Sequence, residues 1–167
     1  MSMMGNFLLV SESEIAALLK VPAEIHAFLE QRLAEPPPNE YVDADKAWHI
    51  LHFLLTGTAW EGEAPLNFIV RGGQEIGEED VGYGPARALL PAAVVTLDAA
   101  LEALPTAALA ERYDPAQMAA LEIYGASRFA PSFAKGRRRG ADCSSGSRND
   151  GQRGPRPEAT ARTASLV

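Results

Sequence analysis

Two histidines three residues apart, His49 and His52, with Asp45 one turn ahead of the first, carry side chains that can bind metals and move protons. On a helix such residues share a face, so two imidazoles and a carboxylate there have the makings of a metal site or an acid/base pair. Their spacing is not that of a zinc protease, which needs histidines at i and i+4 with a glutamate directly after the first. No third ligand stands at a recognisable spacing, and no bound metal is expected. One histidine hydrogen-bonded in the core and the other half exposed is the plainer account of the pair. The second group is Gly82-Tyr83-Gly84-Pro85-Ala86-Arg87, in which Arg87 would serve as an anion anchor. An enzyme built from these parts would place its pocket between the 45–57 helix and the 82–87 loop, with His49 or His52 as acid/base. For a binding site the corresponding candidates are Asp45, Trp48, Tyr83 and Arg87. The glycines do not form a phosphate loop, because the terminal Gly-Lys-Ser/Thr is missing and the acidic residues just before them would repel phosphate. No serine or cysteine nucleophile stands in a recognisable setting, and no cofactor is expected. Cys143 is the single cysteine, which excludes an internal disulfide and a cysteine-based zinc site.

The histidines sit in DKAWHILHFLLTG, residues 45–57, which reads as the central helix. Trp48, Leu51 and Leu55 fall at i, i+3 and i+7, Ile50 and Leu54 widen the stripe, and this face is expected in the core. Asp43 or Asp45 is the expected cap of its first turn, and Gly57 its stop. Upstream, Met3 to Ser11 suits an opening strand, and Ser11 with Glu14 forms a capping box before Ile15, Leu18 and Leu19. Pro22 starts a second helix through Ile25, Phe28, Leu29 and Leu33, with His26 at the edge of the stripe, and Pro36 to Pro38 end it. Residues 36–42 read as a connector. Downstream, 58–64 reads as loop, and the apolar run after Pro65 as a short helix or a strand up to Gly72 and Gly73. Glu75, Glu78, Glu79 and Asp80 read as an acidic loop, and the glycine turn as leading into an edge strand at 87–90. A helix is predicted over 91–104, and Thr106 and Asp114 are expected to cap two short ones. The sum is an α+β class: a single small helix-rich domain with a few-stranded sheet.

Charge divides the chain. Residues 1–125 hold 19 acidic against 6 basic side chains, and residues 126–167 hold 3 against 9. Among the last 42 residues, 22 are Arg, Gly, Ser or Pro, with no apolar period, so a disordered tail is expected over 125–167. The acidic domain would steer toward a basic protein partner and away from nucleic acid, and the bare run Arg137, Arg138, Arg139 lacks the interleaved aromatics of a nucleic-acid surface. No apolar run of eighteen residues and no leader pattern is present, so no membrane span is expected and the reading is cytoplasmic.

The opening Met3-Met4-Gly5, the 45–57 segment, Pro65-Leu66 followed by Gly72-Gly73, the 75–87 stretch EIGEEDVGYGPAR and the closing Glu122-Ile123-Tyr124 together resemble the bacterial YfbM-like family, domain of unknown function 1877. The resemblance covers about residues 1–124 and implies a small cytosolic α+β protein without an established activity. Family members continue past the Ile-Tyr with a proline, a nearby tryptophan, a long helix and a final strand. Here Gly125 opens the Arg/Gly/Ser stretch instead, the composition that a reading-frame change in a GC-rich gene produces. Of the functions weighed, a binding or protein-interaction module ranks first, a character shared by immunity proteins that neutralise toxins. The enzyme described above ranks second.

Overall fold

The computed structural model describes residues 3–36, 39–82 and 84–126, and the backbone of 162–166. In chain order its elements are β1 (Gly5–Ser11), α1 (Glu12–Lys20), a 3-10 turn (Pro22–Glu24), α2 (Ile25–Ala34), β2 (Tyr41–Asp45) and α3 (Trp48–Thr56). There follow α4 (Phe68–Arg71), β3 (Gln74–Asp80), β4 (Pro85–Ala88), α5 (Pro91–Ala103), α6 (Thr106–Arg112), α7 (Pro115–Ala120) and β5 (Arg162–Leu166). The strands form an antiparallel sheet in the order β2-β1-β5-β4-β3, so the chain is α+β.

Local chemistry sets several of these boundaries. The Ser11 side chain accepts the Glu14 N–H while the Glu14 carboxylate accepts the Ser11 N–H, the capping box read from the sequence. Gly57 ends α3 in the left-handed conformation, φ 78°, and its N–H closes on Phe53 O. Asp114 caps α7 by accepting the N–H groups of Ala116 and Gln117. The run after Pro65 is helical, as one of its two readings held, and ends at Gly72.

Other boundaries differ from expectation. Part of the expected 36–42 connector, running on to Asp45, is strand β2, so Asp43 and Asp45 are strand residues and neither caps α3, whose N-cap is Ala47 without a side-chain bond. The expected acidic loop is strand β3, in which only Ile76 is buried. That strand lies at the sheet edge, and β4, expected there, is an inner strand. Acidic side chains suit the edge position because they discourage pairing with another sheet. Thr106 is the first residue of α6, with Pro105 in the cap position.

The expected disordered tail falls mostly on 127–161, outside the described residues. Within its span, residues 162–166 form β5, which pairs Phe7 with Leu166 and Ser11 with Arg162, and on its other side Arg87 with Leu166. The two outer pairs, β1–β2 and β3–β4, thus meet through β5.

Among the described residues two apolar clusters hold the domain. Leu8 and Val10 of β1, Ile76 of β3, and Ala86 and Ala88 of β4 pack with Ile15 and Leu18 of α1 and Ile25 and Leu29 of α2. The second joins Ile50 and Phe53 of α3 to Met118, Ile123 and Ala126. Long α5 buries only Leu97, and Val95 and Leu101 face solvent. No single helix among the described residues is long and apolar enough to cross a membrane.

Candidate functional site

Helix α3 is rotated relative to the stripe drawn from its sequence. Leu51, expected inside, is 41% exposed, Trp48 is half-buried, and Leu55 is buried as expected. The wholly buried places go to Phe53 and to both histidines. His49 earns its position through two backbone partners. The Tyr124 N–H donates to Nδ1 at 2.9 Å, which fixes the ring proton on the other nitrogen, and Nε2–H donates to Ala59 O at 2.7 Å. Burial holds its pKa below the usual histidine value, although the bond to Ala59 favours the charged ring. The neutral imidazole therefore ties helix α3 to the loop after it and to the turn beyond α7.

His52 is equally buried; the Glu61 backbone lies close enough to favour its charged ring, yet neither ring nitrogen makes a hydrogen bond of good geometry. Its pKa is also lowered, first by burial, with the backbone and carboxylate of Glu61 pulling upward and His49 and Arg71 pushing downward. The Trp48 indole nitrogen, one helical turn before His52, is buried without a partner as well.

Three consecutive loop residues roof this part of α3. Ala59 O takes the His49 bond. The Trp60 ring lies 4.3 Å from His49 and 6.1 Å from Trp48, centroid to centroid, and the Glu61 backbone and carboxylate both act on His52. Arg71 of α4 clamps the roof, its Nε–H donating to Trp60 O at 3.2 Å and an Nη2–H to the Glu61 carboxylate at 2.9 Å. Trp48 stacks on His49 at 4.8 Å and on Tyr124 at 6.2 Å, completing an aromatic cluster around the buried imidazole.

The Tyr124 segment is held tightly beside it. Asp45 and Glu122 both adopt positive φ, 42° and 54°, conformations that non-glycine residues enter at a cost. At Gly125, φ 82°, an added Cβ would stand 2.7 Å from Lys46 O, so only glycine lets the two turns approach this closely. The Tyr124 hydroxyl accepts the Met3 N–H at 3.1 Å. At the far end of α3, Arg112 Nη1 donates to Leu54 O and Leu55 O at 2.9 and 2.7 Å, serving carbonyls that the helix end leaves unpaired. Arg112→Ala is expected to lower stability by about 1–2 kcal/mol. An unchanged urea midpoint would show that water serves those carbonyls equally well.

The sequence candidates are only partly brought together. His49, His52 and Trp48 share the roofed face. Asp45 is exposed at the end of β2, where its N–H donates to the Asp43 carboxylate. Arg87 spends its guanidinium on Gly72 O at 2.8 Å, Gly73 O at 3.4 Å and the Glu75 carboxylate at 3.1 Å, fastening the entry to β3. Tyr83 lies outside the described residues. Sequence reasoning missed Trp60, Arg71 and Tyr124 as members of the site. Tyr124 alone carried a signal, in the Glu-Ile-Tyr that belongs to the resemblance. Among the described residues no group of three or more His, Cys, Asp and Glu is placed to hold a metal.

A five-stranded antiparallel sheet with helices packed on it and a buried histidine joining three segments defines a small α+β domain. The chain belongs to the family described as Domain of unknown function (DUF1877), whose profile matches residues 1–131. The match runs past Gly125, where the resemblance was expected to stop. Among solved structures the chain is similar to the crystal structure of a protein of unknown function, YfbM from Escherichia coli, with 25% identity and a TM-score of 0.56. That similarity covers 80% of this chain and 83% of the other. No curated protein matches.

Proposed function

We propose that this domain is a protein-interaction module that takes a basic partner along the outer edge of β3. The observation that carries the reading is the placement of Glu75, Glu78, Glu79 and Asp80, all exposed, on a strand that ends the sheet order. An edge strand offers unpaired backbone groups to an extended segment, and a row of carboxylates selects for positive charge in that segment. Arg87 and His26 meet Glu75 and Glu79, at 3.1 and 3.5 Å, and the strand remains acidic. The enzyme reading draws less support, because His49 has both ring nitrogens engaged by backbone and Arg87 is committed to the β3 entry.

Amide NMR titration of the full chain with an arginine-rich peptide tests the proposal. Shifts concentrated in residues 74–80, persisting at physiological ionic strength and weakened at least tenfold by the double change Glu78→Lys and Glu79→Lys, are expected. Shifts scattered over every acidic side chain, or a double variant that binds equally well, would overturn it.

A further inference from the structure

His52 and Trp48 stand at i and i+4 on α3, so they share a face with side chains about 5–6 Å apart at their Cβ atoms. Both lie against the 59–61 roof, Trp48 beside Trp60 and His52 beside Glu61, and the Trp48 indole nitrogen and the His52 nitrogens are buried without a well-formed hydrogen bond. Buried polar groups in native proteins are nearly always satisfied, so each orphan asks for an explanation. We propose that this face is a binding site for a small uncharged ligand that combines a planar ring with a hydroxyl group.

The chemistry of the lining selects that class. An indole N–H only donates, whereas a neutral imidazole offers one donor and one acceptor. A hydroxyl oxygen can accept from Trp48 and donate to the unprotonated His52 nitrogen, leaving the His52 N–H to the neighbouring Glu61 backbone carbonyl. Arg71 and Glu61 neutralise each other across 2.9 Å, so a charged ligand would enter with no counter-ion to offset its desolvation. The walls are the rings of Trp48 and Trp60, and Trp60 is 47% exposed, which suits a ligand with an apolar ring.

Access follows from the roof. Gly57 and Gly62, at φ 78° and 121°, bracket it. Its fastenings are the His49 bond to Ala59 O and the Arg71 bonds to Trp60 O and Glu61. Lifting the strap breaks these few bonds and leaves the packing of Phe53 with Met118 and Ile123 in place.

Phenol is the probe, with benzene as its control, titrated into the full chain while the indole N–H and imidazole signals are followed by NMR. Saturable shifts of the Trp48 indole N–H and the His52 ring with phenol are expected, absent or at least tenfold weaker with benzene. Trp48→Phe keeps a ring and removes the donor, and should weaken phenol binding at least tenfold. Equal binding of phenol and benzene would show an apolar crevice without the polar site. A persistent water cross-peak at the indole N–H, with no response to phenol, would show that the site holds water only. Either result overturns the proposal.

Discussion

Truncating Phe53 to alanine is expected to remove about 3–5 kcal/mol of stability, the largest single loss predicted here. The ring is 1% exposed and joins α3 to Met118, Ile123 and Ala126. The truncation therefore forfeits both the transfer of the ring out of water and the contacts that hold the turn after α7. Small domains are stable by only about 5–15 kcal/mol, so the variant should be partly unfolded at 37 °C. A urea melt giving a loss below about 1 kcal/mol would mean that this second cluster closes over the gap or contributes little.

His49→Leu should cost about 2–5 kcal/mol even though leucine is the more apolar residue. It deprives the partly buried Tyr124 N–H and Ala59 carbonyl of their partners, at about 1–3 kcal/mol for each orphan. The same buried histidines make stability depend on pH. Both have pKa values lowered from 6.5 by burial, so the unfolded chain binds protons that the folded one refuses. Their contribution is complete above pH 6.5 and is lost as the pH falls from there toward their folded values. The slope approaches about 1.4 kcal/mol per pH unit for each histidine. Carboxylates whose pKa values are lowered in the fold, Asp80 by the Gly84 and Gly82 N–H groups and Glu14 by Ser11 and Arg32 against its burial, act only at lower pH. Chemical denaturation between pH 7 and 5 should show the decline in the native chain and a shallower one in His49→Leu. A flat profile would place both rings in contact with solvent.

Elements whose signals are local were legible in the sequence. The Ser11–Glu14 box, the Gly57 stop and the Asp114 cap depend on neighbours within four residues, and each stands where it was read. The rotation of α3 was not legible, because an apolar stripe cannot announce that backbone from positions 59 and 124 will supply partners to His49. Once it has them, a neutral imidazole buries as well as leucine, and Leu51 is turned outward. Strand β3 was hidden because glutamate and aspartate are depleted in strands and only Ile76 faces inward. Strand β5, drawn from a stretch without apolar alternation, gave no signal of its own; its place is set by pairing with β1 and β4. In the site, Arg71 and Trp60 were invisible because their roles rest on a loop folding back over a helix, which residue types alone do not encode.

The order in which a ribosome delivers these strands gives the sheet an unusual assembly history. Strands β1 to β4 emerge early, as two pairs that do not hydrogen-bond to each other, while the strand that lies between them is made more than seventy residues after β4. The sheet cannot close until residue 166 has cleared the exit tunnel. Until then five residues of β1 and two of β4 lack their strand partner, the kind of surface that recruits other strands when closure is delayed. Contacts between the first and last strands also carry the greatest loop-closure cost, which slows folding. A nascent chain of this protein therefore carries its central seam open from the completion of β4 until β5 has been made.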